Sequence, residues 1–230
     1  MNEILSIQIL PVAVTLCTFY VGVIAQRKLR TYLCSPILVA VVLILGFLSA
    51  TGMDLETFQA GNTYFSWLLA PATVSLAVPL YEHFQILRKN TKVLFASIAA
   101  GAISCLAMVL ACGVLLKLDR EMIFSLLPKS VTTAIGVPLS EMIGGIGPIT
   151  TAAILVTGVT ASVLGPALCK MFRLTDEIAQ GVAYGTAGHV VGTSKAMECS
   201  ALAGAAGSFS LVVAGLLTAV VMPAAVSLLA

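Results

Sequence analysis

The charges in this chain lie too far apart for a water-soluble fold. Its 12 basic and 10 acidic residues leave uncharged stretches at Ile4–Gln26, Thr31–Met53, Thr57–Tyr81, Val93–Leu116, Met142–Cys169 and Cys199–Ala230, none shorter than 23 residues. A helix needs about 20 apolar residues to cross a hydrocarbon core of roughly 30 Å. Lipid offers the backbone no hydrogen-bond partners, and a helix satisfies its own. Barrel strands would alternate at period two, and no such alternation runs through these stretches. The expected fold is therefore an all-α integral membrane protein, a multi-pass helical bundle. Composition agrees, with 59% hydrophobic and 10% charged residues where a soluble domain carries about 25% charge.

The same numbers exclude several function classes. A net charge of +2, with no basic stripe interleaved with aromatics, argues against a nucleic-acid partner. The six cysteines (Cys17, Cys34, Cys105, Cys112, Cys169 and Cys199) contain no C-x-x-C. Cys105 and Cys112 share a helix face but lack a nearby histidine or carboxylate, so they read as packing residues and no metal site or cofactor is expected. The N-terminus lacks a basic n-region and a small-residue cleavage site, so Ile4–Ala25 reads as a retained span.

Residues 1–230 read as a single polytopic membrane domain. Six uninterrupted spans are expected at 4–25, 36–52, 64–81, 93–116, 147–170 and 201–229, the third containing Pro71 and Pro79. Basic clusters Arg27, Lys28, Arg30 and Arg88, Lys89, Lys92 flank the acidic loop with Asp54 and Glu56. The positive-inside rule puts the basic loops in the cytoplasm and the acidic loop outside. Two further segments, 122–145 and 178–200, are interrupted by proline, glycine or charge. If 122–145 crosses fully, Lys170 and Arg173 fall outside, against the rule; if it is re-entrant they fall inside. Residues 69–82 (LAPATVSLAVPLYE) and 127–141 (LPKSVTTAIGVPLSE) share a proline, a hydroxyl-rich middle and a V-P-L-x-E ending. Transporters are often built from repeats with interrupted helices, and this similarity raises that possibility here.

Polar groups inside apolar segments mark where function sits. In Leu127-Pro128-Lys129-Ser130-Val131-Thr132-Thr133, a helix starting at Pro128 would present free amides beside Lys129, Ser130, Thr132 and Thr133, a setting for a small carboxylate. A lysine at mid-membrane costs on the order of 3 kcal/mol on insertion scales, so it needs a reason, unless it snorkels to the interface. In Gly181–Glu198, glycines 181, 185, 188 and 192 form a smooth helix face for close packing. Thr186, His189 and Thr193 run beside it, and Lys195 and Glu198 are spaced to pair. His189, Lys195 and Glu198 are expected to line an aqueous site. Glu82 abuts a basic loop and reads as solvated, whereas Glu141 reads as a buried proton carrier or lysine partner. GTAGHVVGTSK does not satisfy the phosphate-loop pattern, and His83 and His189 lack an orienting carboxylate. No catalytic residues are expected, and the chain does not read as an enzyme.

At these residues a family resemblance emerges. LLAPATVSLAVPLYE (68–82), LPKSVTTAIGVPLSEMIGGI (127–146) and GTAGHVVGTSKAMECSALAGA (185–205) resemble signature stretches of the LrgB/CidB family. Its members are bacterial inner-membrane proteins labelled antiholin-like or murein-hydrolase regulators, and the plastid glycolate/glycerate translocators carry a similar domain. The resemblance implies a multi-pass inner-membrane protein working with a small LrgA/CidA-type, holin-like partner. It implies either transport of small organic anions such as glycolate, glycerate or pyruvate, or control of autolysis without transport. Self-association into a homo-oligomer is also expected. The residues suit transport better, with Lys129, Ser130, Thr132 and Thr133 meeting the carboxylate and Glu141, Thr186, His189, Thr193, Lys195 and Glu198 completing the site or carrying a proton.

Overall fold

A computed structural model describes residues 2–29 and 36–227, so Arg30 and Cys34 and the last two residues of the expected final span lie outside the described residues. Every regular element among the described residues is a helix. The chain divides into two compact units, Met1–Ser75 and Leu76–Ala230.

The first unit holds α1 (Asn2–Leu29), α2 (Pro36–Thr51), α3 (Leu55–Gly61) and α4 (Thr63–Ser75). Within α1, residues Ile9–Leu29 are long and apolar enough to cross a membrane, and α2 is a shorter apolar helix. Gly22 of α1 lets the backbone of Pro36 approach, and Gly61 leaves room for the ring of Pro11. The Thr15 hydroxyl donates to Asn62 Oδ1 at 3.2 Å, tying α1 to the residue that follows α3.

The second unit holds α5 (Ala77–Glu82), α6 (Phe84–Lys89), α7 (Thr91–Leu115), α8 (Arg120–Leu126), α9 (Thr133–Met142), α10 (Gly147–Met171), α11 (Glu177–Cys199) and α12 (Ala201–Ser227). Helices α7, α10 and most of α12 have the length and apolarity of full spans. Their outer faces carry large apolar side chains, with Leu115 80% and Val220 75% exposed. Such a surface is stable in lipid and not in water, so the chain is a helical membrane protein. Helix α12 is the most enclosed span. Ala203, Ala205 and Ala206 are fully buried, and its hydroxyls Ser208 and Ser210 donate to their own helix carbonyls at Gly204 and Ala206.

Two helix breaks bear on the sequence expectations. Within the stretch 64–81 the helix stops at Ser75 and resumes at Ala77. Pro79 has no amide for the Ser75 carbonyl, and its ring crowds that turn. The helix expected to start at Pro128 does not start there. Helix α8 ends at Leu126, residues 127–131 form turns, and α9 starts only at Thr133, with Thr132 extended at its cap. Pro128 deprives the Phe124 carbonyl of its usual partner, and the Ser140 hydroxyl reaches that carbonyl instead at 3.3 Å.

Both interrupted segments are re-entrant hairpins. In the first, Gly136 lies against Pro128 and Ser140 against Phe124, pairs centred on residue 132. The chain thus returns alongside itself and α9 leads back to the end from which α8 entered. In the second, the position of Gly192 lies against the Tyr184 backbone, and Tyr184 and Ala196 belong to one buried cluster with Ala203. Residues eight apart in a straight helix are separated by about 12 Å, so α11 folds back on itself. The reversal is at His189, whose φ of 44° and ψ of −137° leave the helical region. The helical arms, 7 residues in α8 and 10 to 12 in the others, reach about 10–18 Å, no more than about half a bilayer.

The hairpins enter from opposite ends. Helix α7 leads from Arg88, Lys89 and Lys92 to the far end, where the first hairpin begins; α10 leads back to Lys170 and Arg173, where the second begins. Residues 91–142 and 147–199 are therefore an inverted pair, each a 25-residue span followed by a hairpin. The hairpins start at Arg120 and Glu177, reverse at Thr132 and His189, and end at Met142 and Cys199, each pair 57 residues apart. Lys117 (φ 53°) and Arg173 (φ 54°) close the two spans in the same left-handed conformation. The repeat used by the fold is this one, and the similarity of 69–82 to 127–141 is not matched in conformation, since 69–75 is helical where 127–132 is turn. Re-entry also returns Lys170 and Arg173 to the same end as Lys89 and Lys92, as the charge rule requires.

Candidate functional site

The hairpin tips meet beside a cavity of about 590 Å³. The two repeats line it with corresponding positions: Gly101, Ser104, Cys105 and Lys129 from one, Thr157, Thr160, Ala161 and Thr186 from the other. It runs on toward the basic end between Ser97, Leu168 and Val182. A gap of about 10 Å³ behind the tips, bordered by Ser130, Thr186 and Thr218, approaches the size of one water.

Three buried hydroxyls set the first tip in place. Ser125 Oγ donates to the Glu121 carbonyl and accepts the Ile146 amide at 2.7 Å. Thr150 Oγ1, at the start of α10, lies 2.7 Å from Ser140 Oγ. The turn they support carries Lys129 and Ser130, both half-buried. Ser130 Oγ is 3.1 Å from Cys105 Sγ. Among the described residues the lone ion pair is elsewhere, so Lys129 has no carboxylate partner. Helix α9 begins four residues later, and its first amides have no intrahelical acceptor.

The second tip is set by close packing. Gly181 and Gly185 bring α11 onto the α12 backbone at Ala203 and Gly207, and Gly188 meets Ala161 of α10. Gly158 of α10 opens a niche for the His189 ring, whose Nε2 lies 2.9 Å from the Ile154 carbonyl. Gly101 of α7 makes room for the Thr186 methyl group. Thr186 is 8% exposed, and its hydroxyl has no hydrogen-bond partner among the described residues.

Of the ten residues expected from sequence, the cavity gathers Lys129, Ser130 and Thr186. Thr132 is the reversal of the first hairpin, and Thr133 is exposed at the start of α9. Glu141 is exposed in the last turn of α9, with its Oε1 beside Gly147, and is neither buried nor lysine-paired. His189 is buried behind the cavity wall, and Thr193 donates to the His189 carbonyl at 2.9 Å. Lys195 and Glu198 bond to each other at 2.6 Å at the hairpin's far end, outside the cavity. The expected aqueous seam through His189, Lys195 and Glu198 does not form, because reversal at His189 carries the residues after it away from the tip. Sequence reading took Cys105 as a packing residue and missed Ser97 and Ser104 on α7 and Thr157 and Thr160 on α10. Their signal was a hydroxyl stripe at helical spacing on otherwise apolar spans.

The family model described as the LrgB-like family matches residues 15–228. The chain belongs to the LrgB-like family. Among its relatives is a Bacillus subtilis (strain 168) protein named "Uncharacterized protein YwbG", 37% identical over 200 residues, which span 86% of this chain and 88% of that protein. No solved structure matches the chain. The matched region takes in both hairpins and the whole cavity lining.

Proposed function

We propose that this LrgB-like protein is a transporter of small organic carboxylates, of the size of glycolate, glycerate or pyruvate, in the bacterial inner membrane. The observation that carries the reading is Lys129: a cation without a carboxylate partner among the described residues, facing a mostly apolar cavity, dotted with serine and threonine side chains, that the tips of both hairpins border. Inverted repeats with non-helical backbone at their interface are a recurrent plan for transporters, with the solute at mid-depth between the repeats. In this reading the carboxylate meets Lys129 and Ser130, and the α9 N-terminus adds partial positive charge nearby. The solute is carried without chemical change, so no catalytic group is invoked. Rocking one repeat against the other would expose the cavity to each side in turn. A small LrgA/CidA-type membrane protein is the proposed partner, and self-association is part of the same proposal.

Purified protein in liposomes, alone and with such a partner, should take up radiolabelled glycolate or pyruvate. Uptake should fall to background in Lys129→Gln. Uptake that is absent from the wild type in both preparations, together with an autolysis phenotype that survives Lys129→Gln in cells, would favour the regulatory role instead.

A further inference from the structure

The inverted repeat relates Lys129 to Thr186, since each stands three residues before its hairpin's reversal. Both line the same cavity. One hairpin thus presents a cation to the ligand, and the other presents a neutral hydroxyl. Thr186 is 8% exposed, and its hydroxyl oxygen, itself almost without accessible surface, has no hydrogen-bond partner among the described residues. A buried hydroxyl left unpaired is unfavourable, and the residue that carries it lines both the cavity and the small gap behind the tips. Resting on the transport reading above, we propose that Thr186 is the specificity-determining residue of the cavity: it receives the uncharged end of the ligand and restricts the ligand to a single negative charge.

Among the described residues Lys129 is the sole cation in the cavity lining. A monocarboxylate places its charge there and turns a hydroxyl or carbonyl oxygen to Thr186, which can donate or accept. A dicarboxylate of similar length must set its second charge against Thr186 and the apolar wall, where nothing compensates it. The neutral partner at the position corresponding to Lys129 therefore acts as a charge filter.

The experiment measures binding of radiolabelled glycolate, and separately of pyruvate, to the purified full chain, with malonate as competitor. Wild type should prefer glycolate by roughly a hundredfold or more. Thr186→Ser should retain that preference, and Thr186→Val, close to isosteric, should weaken glycolate binding about tenfold. Thr186→Lys should move the glycolate-to-malonate ratio at least about tenfold toward malonate. Unchanged glycolate affinity in Thr186→Val overturns the assignment, and the conclusion does not depend on the lysine variant folding. An unchanged ratio in a Thr186→Lys protein that melts like the wild type also overturns it. If wild type binds neither pyruvate nor glycolate, the transport reading fails and this assignment with it; if wild type binds them and Thr186 is inert, the assignment alone fails.

Discussion

The two hairpins reach the same depth by different chemistry. The first, at 120–142, needs a six-residue turn and a set of buried hydroxyls. Ser140 takes up the carbonyl that Pro128 leaves free, and Ser125 meets an amide of the next span. The second, at 177–199, reverses at one residue and is held by glycines against α10 and α12, with a single histidine–carbonyl bond at its tip. In lipid there is no hydrophobic drive between helices, so hairpins are fixed by close packing or by hydrogen bonds. Hydrogen bonds dominate in the first repeat, where Gly136 and Gly145 also allow close approach, and packing dominates in the second, where Thr193 also bonds the His189 carbonyl. The polar device leaves backbone, a lysine and a hydroxyl at the cavity; the packed device leaves a smooth wall with Thr186 set into it. Pseudo-symmetric architecture therefore holds an asymmetric site, cationic on one side and neutral on the other.

The comparison can be tested in order of expected effect. Lys129→Gln removes the charge that distinguishes the first tip, and anion flux into liposomes should drop by about 30-fold to 100-fold, the scale of a charge-assisted bond. Lys129→Arg should recover part of it. Gly158→Leu pushes a side chain into the niche of the His189 ring, which lies 2.7 Å from the first added carbon. It should destabilise the second hairpin by about 1–3 kcal/mol, a fall of roughly 2–4 °C in Tm for each kcal/mol. Ser125→Ala leaves the Ile146 amide unmet and should cost about 1–2 kcal/mol, with glycolate affinity reduced because the turn carrying Lys129 loosens. If Gly158→Leu and Ser125→Ala both leave Tm unchanged, the contrast between packed and hydrogen-bonded hairpins is wrong.

His189→Gly should change stability by less than about 1 kcal/mol. Glycine relieves the positive-φ strain, on the order of 1–3 kcal/mol, while it forfeits the bond to Ile154 and adds unfolded-chain entropy of about 1 kcal/mol. His189→Ala keeps the strain without the bond and should melt below His189→Gly in the same scan. The double variant Lys195→Gln/Glu198→Gln should alter Tm and uptake least. Glu198 is 62% exposed, such pairs contribute less than about 1 kcal/mol, and both residues stand outside the cavity. A large loss of uptake there would return the far end of the second hairpin to the site.

The spacing of charges was sufficient to read a helical membrane protein, because the cost of burying charge in lipid is set by composition along each stretch. The prolines and glycines also marked the two interrupted segments, since backbone chemistry is local. What sequence could not supply was the direction in which each segment continued past its break. Crossing and returning place the same residues in the same local conformations, apart from a few dihedral angles at Thr132 and His189. Only packing chose between them: Ser140 against Phe124 in one hairpin, Gly192 against Tyr184 in the other. That choice separated the expected site residues. It joined Lys129 to Thr186 and to the hydroxyls of α7 and α10, while His189 went behind the wall and Lys195 and Glu198 to the far end. Hydropathy is a sum over neighbours in the chain, whereas a cavity is made by neighbours in space.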